Sequence, residues 1–291
     1  MKPIRTRTRS GRMEKSDGGM SVAAFFALTF AATWSCFTAA GLLVPAGARW
    51  PLMIIGAFAP SAVAVLLTAR QEGKAGVNAL LSRLGEWRVG LRWYAFALLY
   101  MAAIKIAVAL IYRMATGGWP TFGSGYGIGI VVTAIVAAIF GGPLGEEIGW
   151  RGYALPRLTD RFGKAGASVL LGLVWAGWHL PVFFIPGMDQ SGQSLPVYVL
   201  QVTALSVAMA WLYWHTRGSL LLAVLMHTAI NQTKDIVPSK VVAGAGNPWG
   251  LSHSLVAWLT VLLLGLNAVY LLARMANDER HARGDWLGGS S

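Results

Sequence analysis

Eight long apolar runs occupy most of this chain of 291 residues, and charged residues fall mainly between them. Most runs have about the 20 apolar residues that a helix needs to cross a lipid bilayer. None alternates polar and apolar residues with a period of two, as the strands of a membrane barrel do. The sequence therefore predicts an all-α polytopic membrane protein with about eight transmembrane helices. The predicted spans are residues 20–44, 51–69, 91–112, 126–144, 165–184, 196–214, 219–231 and 254–273.

The charge balance indicates how these helices are oriented. Only 12% of the residues are charged, yet the formal net charge is +12. A soluble domain carries about a quarter charged residues, so we expect neither a soluble domain nor nucleic-acid binding. If the N-terminus is cytoplasmic, Lys and Arg residues concentrate on the cytoplasmic side, as the positive-inside rule requires. We therefore expect both termini in the cytoplasm and the helices in the plasma membrane of a prokaryote. The exceptions are Arg49, Arg113, Lys234 and Lys240 on the other side and Lys105 within a span.

Two adjacent acids, Glu146 and Glu147, stand at the end of the fourth apolar run, whereas the other acids lie in tails or loops. A charged residue at the bilayer centre costs about 2.5–3.5 kcal/mol on insertion scales, so the pair is a candidate functional site. Alternatively, both glutamates lie at the interface and pair with Arg151. Glu147 and Arg151 are four residues apart and can form an ion pair on one helix face. Glu146, on another face, would then be free for chemistry.

Two histidines give a second signal, because His179 and His227 each lie inside an apolar run. A lone histidine in a membrane is more often a hydrogen-bonding group between helices than a catalyst. Two of them beside a carboxylate favour a reactive site. His227 and Asn231 are four residues apart and share a helix face, where their donors can stabilise an oxyanion. Lys105, also within a span, is expected to snorkel or to form a structural pair.

Small residues predict close approach of the helices around these groups. Pro143 cannot donate a hydrogen bond and frees a carbonyl group just before the glutamates. Small side chains repeated every four residues let membrane helices pack backbone to backbone. The repeats are Gly141, Gly145 and Gly149 in one run and Ser168, Gly172 and Ala176 in the next.

With Cys36 as the only cysteine, an intramolecular disulfide is excluded.

Three motifs follow one another in this part of the chain. Residues 146–151 (EEIGWR) fit EExxxR, residues 175–179 (WAGWH) fit an aromatic residue followed at i+4 by His, and residues 227–231 (HTAIN) fit HxxxN. In this order and spacing they resemble the CPBP family, which comprises CAAX prenyl endopeptidases and bacteriocin-processing intramembrane proteases and is also called the ABI family. The match spans residues 126–232, which would be catalytic helices four to seven. Residues 1–19 are expected to form a basic disordered cytoplasmic tail, 20–125 helices one to three, and 233–291 helix eight and a cytoplasmic tail.

The resemblance implies an endopeptidase that cleaves a membrane-associated protein or peptide, prenylated or CAAX-like. Glu146 would be the base that activates water, assisted by His179, although the spacing leaves Glu147 open as the base. Trp175 stands where the family usually has Phe, and we expect it to pack similarly. The implied catalytic residues are Glu146, His179, His227 and Asn231, supported by Glu147, Arg151 and Trp175.

Other readings stay open. Zinc hydrolases generally supply three protein ligands, and Glu146, His179 and His227 could be such a set. Because the zinc-binding motif HExxH is absent, we favour a reaction without metal or other cofactor. A transporter or proton-coupled channel could use the same polar groups as a path. A bacteriocin-immunity or scaffold protein of the same fold would not cleave anything.

The positions of Glu146 and His179 along their predicted helices set a further condition on the fold. Counting along the predicted spans puts Glu146 near the cytoplasmic end of helix four but His179 beyond the middle of helix five. At about 1.5 Å per residue, the two meet only if helix four continues through Arg151 and helix five begins near Arg161. We predict both.

Overall fold

The computed structural model describes residues 17–122, 129–233, 237 and 247–288, and within them it contains helices and turns but no β-strand. The predicted all-α fold is therefore confirmed. A π-helical turn (Ile148–Ala154) joins α5 to α6, and a 3-10 turn (Leu180–Phe184) follows α6. The helices are α1 (Asp17–Leu43), α2 (Trp50–Ser82), α3 (Leu91–Thr116), α4 (Gly129–Phe140), α5 (Pro143–Glu147), α6 (Leu155–Trp178), α7 (Leu195–His215), α8 (Leu220–Thr233) and α9 (Leu255–Gly288).

Six helical segments in the described ranges are long and apolar enough to cross a membrane, which confirms a polytopic membrane protein. Two of the eight predicted spans correspond to shorter helices, because α4 has 12 residues and α8 has 14. Eight complete crossings therefore stay a prediction. The predicted N-terminal tail lies outside the described residues as far as residue 16, and so do Lys234 and Lys240.

We expected the glutamates at the end of the fourth helix, but they do not lie there. α4 ends at Phe140, and Gly142 adopts φ 114°, a conformation that suits glycine. Pro143 then opens a new helix, where its missing N–H group costs nothing. The prediction for the end of helix four is wrong because these residues break the helix in front of the glutamates. The run that carries them continues through Arg151, but it is a new helix and not the fourth helix that we predicted to do so.

A second break at Gly163 turns the chain back. Gly163 has φ 69° and ψ 171°, outside the helical range, and divides the run into a first arm (residues 143–162) and a second arm (residues 164–178). The backbone N–H of Lys164 donates to the Glu279 carboxylate at 2.6 Å, which caps the second arm from α9. Glu146 lies about 25 Å before the break and Trp175 about 18 Å after it. The two arms therefore form a hairpin, and the second arm returns toward the depth of the glutamates. The second arm begins at residue 164, close to the start predicted near Arg161.

The small residues allow the close approach that their spacing predicts. A Cβ atom at Gly149 would lie 2.6 Å from the Pro60 carbonyl group of α2, and one at Gly172 would lie 2.7 Å from Thr203 of α7. The Ser206 hydroxyl of α7 also donates to the Ser168 carbonyl oxygen at 3.0 Å. Backbone contact with α2 thus holds the first arm, and backbone contact with α7 holds the second.

Lys105 is fully buried in α3 and donates to the Val237 carbonyl oxygen at 2.9 Å. It is a structural hydrogen-bonding residue rather than a snorkelling one. Ion pairs nearer the surface join other elements, such as the half-buried Arg157 with Glu72 and the exposed Arg217 with Glu86.

Candidate active site

The Glu147 carboxylate lies at the centre of the site. One of its two oxygens accepts hydrogen bonds from two side chains. Arg151 Nη1 donates to Glu147 Oε1 at 2.8 Å, and His227 Nδ1 donates to the same oxygen at 2.9 Å. Glu147 and Arg151 are completely buried, and His227 is 4% exposed. The ion pair predicted from the i,i+4 spacing is therefore confirmed, and it also holds the histidine of α8.

Glu146 points to a different neighbour. Its Oε2 accepts a hydrogen bond of 2.7 Å from the Trp175 indole N–H. A Cβ atom at Gly142 would lie 2.9 Å from the other oxygen, Oε1, so a larger residue there would push the carboxylate aside. Within the described residues Oε1 makes no hydrogen bond. The two adjacent glutamates therefore have different surroundings. Glu147 is bound through Oε1 to Arg151 and His227, and its Oε2 is buried without a partner in the described residues. Glu146 is bound only to the neutral indole N–H of Trp175.

His179 ends the second arm, with its ring half-buried. Its Nδ1 lies 2.8 Å from the Trp175 carbonyl oxygen. A carbonyl oxygen can only accept, so Nδ1 carries the proton and Nε2 has the lone pair of the neutral ring. The ring lies edge-on to Trp178 at 4.7 Å and to Tyr198 at 5.5 Å between centroids.

Glu146 and His179 make no direct hydrogen bond in the described part of the chain. Trp175 links them instead, since its indole N–H bonds to Glu146 and its carbonyl oxygen to His179. We expected Trp175 to pack as Phe does. It packs, with its ring 5.1 Å from that of His227, but it also donates the hydrogen bond that a Phe cannot make.

Asn231 lies one turn beyond His227 on α8, and its side chain is exposed. It makes no hydrogen bond within the described residues. The structure thus gathers the glutamates, Arg151, Trp175 and His227 in a buried cluster, places His179 beside them and leaves Asn231 at the edge. Gly142 and Tyr198 also border this cluster and were not predicted. The Gly-Gly-Pro sequence before the glutamates could have indicated the first, whereas nothing in the sequence indicated Tyr198.

The alternative zinc set does not fit this arrangement. Among the described residues no three His, Cys, Asp or Glu side chains converge closely enough to hold a metal ion. Glu146, His179 and His227 therefore do not form a three-ligand site in this conformation.

Comparison with known proteins agrees with the three motifs. Residues 127–233 match the family described as Type II CAAX prenyl endopeptidase Rce1-like. A curated relative from Methanococcus maripaludis, CAAX prenyl protease 2, is 26% identical over 232 residues, which cover 73% of this chain and 83% of the relative. The matched segment contains both arms, α7 and α8, and with them every predicted site residue.

Proposed function

We propose that this chain, whose residues 127–233 match the Type II CAAX prenyl endopeptidase Rce1-like family, hydrolyses a peptide bond with water activated by Glu146. The observation that carries the proposal is the division of labour between the two glutamates. Glu147 pairs with Arg151 and His227, whereas the bond that Glu146 accepts in the described residues comes from the neutral indole N–H of Trp175. Since nearby cations favour the charged form of Glu147, Glu146 is the carboxylate that accepts a proton more readily.

In the proposed reaction the Glu146 carboxylate removes a proton from water while the water oxygen attacks the carbonyl carbon of the scissile bond. The Nε2 lone pair of His179 accepts a hydrogen bond from the same water and holds it in place. When the C–N bond of the tetrahedral intermediate breaks, the proton on Glu146 passes to the leaving amine. The products are a free carboxylate and a free amine.

His227 and Asn231 are the proposed donors to the oxyanion. Because His227 Nδ1 donates to Glu147, Nε2 can donate only when the imidazole is doubly protonated. The buried Glu147 carboxylate stabilises that imidazolium ion, and Arg151 fixes the carboxylate in turn. The Asn231 side chain lies on the same face and supplies a neutral N–H group. Glu147 and Arg151 thus act through His227.

The proposed substrate is a membrane-associated protein or peptide with a prenylated or CAAX-like end, because the curated relative is named CAAX prenyl protease 2. The family match favours a protease over a transporter or channel. An immunity or scaffold protein of the same fold would show no hydrolysis, so an activity assay separates it from the proposal.

The proposal is tested with purified protein in detergent and a quenched fluorescent peptide that ends in a farnesylated CAAX sequence. We expect the wild type to cleave it and Glu146→Gln to lose at least about 100-fold in rate, as removal of a general base does. The matched control is Glu72→Gln, since Glu72 is exposed and pairs with Arg157 outside the site. Equal rates for wild type and Glu146→Gln would contradict the mechanism. The same peptide without the farnesyl group tests whether prenylation is required.

A further inference from the structure

Trp175 contacts two charged groups of the site. Its indole N–H donates to Glu146 at 2.7 Å, and the Arg151 guanidinium lies over its ring at 4.5 Å from the centroid. The side chain is 3% exposed. Trp175 therefore lies against the proposed base on one side and against the cation of the neighbouring ion pair on the other.

Arg151 is able to bind a second carboxylate. Only its Nη1 is bonded, to Glu147, while its Nε and Nη2 are buried without a hydrogen-bond partner in the described structure. The Glu146 carboxylate is its neighbour, since both groups contact the Trp175 side chain. An unsatisfied buried donor is costly, and a guanidinium binds carboxylates well through two of its nitrogens. If nothing held Glu146, its carboxylate would be drawn toward Arg151.

A base paired with Arg151 would be a poor base, because both the ion pair and the new hydrogen bonds favour the form that holds no proton. It would also lie away from the water that it must activate. The Trp175 N–H competes for the same carboxylate and keeps Oε1 turned toward Gly142, which has no side chain to obstruct it.

We propose that Trp175 is a positioning residue whose indole N–H keeps the Glu146 carboxylate apart from the Glu147–Arg151 ion pair. This inference rests on the proposed role of Glu146 as the base. A phenylalanine ring at this position would keep the contacts with Arg151 and His227 but could not hold Glu146.

The test compares Trp175→Phe with Trp150→Phe in the farnesylated-peptide assay. Trp150 is a matched control because it is also fully buried in the first arm, and its N–H has no hydrogen-bond partner in the described residues. It packs on Phe25 and Trp178 instead of the charged groups. We expect Trp175→Phe to lower kcat about tenfold or more with KM unchanged, as loss of a transition-state arrangement does. Trp150→Phe is expected to keep the wild-type kcat.

A second variant removes the N–H without leaving a cavity. Replacing Trp175 by 3-benzothienylalanine keeps the bicyclic shape and puts sulfur in place of the N–H group. We expect the same loss of kcat as for Trp175→Phe, with thermal stability close to that of the wild type. If this variant keeps the wild-type kcat, the inference is overturned while the proposed function stands. If the wild type shows no Glu146-dependent cleavage, both are overturned.

Discussion

Replacing Arg151 by Met removes the cation from a buried ion pair and leaves its partner charged inside the protein. Arg151 and Glu147 are 2.8 Å apart, and both side chains are completely buried. Breaking such a pair from one side destabilises a protein by about 3–5 kcal/mol, mainly because the remaining charge is uncompensated. His227 still donates to Glu147, so we expect a loss of about 3 kcal/mol, the lower end of that range.

The assay is reversible unfolding in mixed micelles during titration with sodium dodecyl sulfate. Arg217→Met is the control, because Arg217 and Glu86 form an ion pair whose side chains are 66% and 43% exposed. Exposed pairs contribute about 0–1 kcal/mol. The double variant Glu147→Met with Arg151→Met removes both charges and should be less destabilised than Arg151→Met alone. The reasoning is refuted if Arg151→Met and Arg217→Met cost the same, or if the double variant is the least stable of the three.

Three further substitutions test other parts of the account. Gly142→Ala forces alanine into a positive φ and against the Glu146 carboxylate. It should lower the free energy of unfolding by about 1–3 kcal/mol in the micelle titration and lower kcat for the farnesylated peptide. Wild-type values for both would contradict the geometry. Lys105→Met removes the buried donor to the Val237 carbonyl oxygen and should cost about 1–3 kcal/mol without changing kcat, whereas a selective loss of activity would point to a role in the reaction. Asn231→Ala alters an exposed side chain and should leave stability unchanged while lowering kcat at least about 100-fold; a small effect would remove Asn231 from the oxyanion site.

The motif spacing predicted the local relations within a helix well. Glu147 and Arg151 are four residues apart, and the helical repeat alone places them on one face, where the structure shows their ion pair. Apolar length also predicted the all-α polytopic fold correctly, because each helix must satisfy its own backbone inside the bilayer.

The sequence did not predict where the helices break. Gly142 and Gly163 both adopt a positive φ, but a glycine is also accommodated inside a membrane helix, so its presence alone does not identify a break. The hairpin depends on tertiary contacts, such as the Glu279 cap on the backbone N–H of Lys164. Glu279 is far along the chain, and no short-range pattern indicates that it reaches the start of the second arm.

The role of Trp175 could not be predicted for a related reason. The motif treats position 175 as an aromatic residue that packs, and packing depends on the shape of the ring. The hydrogen bond to Glu146 depends on where the first arm places the carboxylate. That placement follows from the break at Gly142 and from the contact with α2, neither of which the motif contains.

The central claim is that the membrane-embedded Glu146 carboxylate drives peptide-bond hydrolysis. The most direct measurement maps protein termini in membranes from cells that express wild type or Glu146→Gln at equal levels. The account predicts a set of new termini on membrane-associated proteins that is present with the wild type and missing with Glu146→Gln. Identical sets of termini in the two membranes would contradict it.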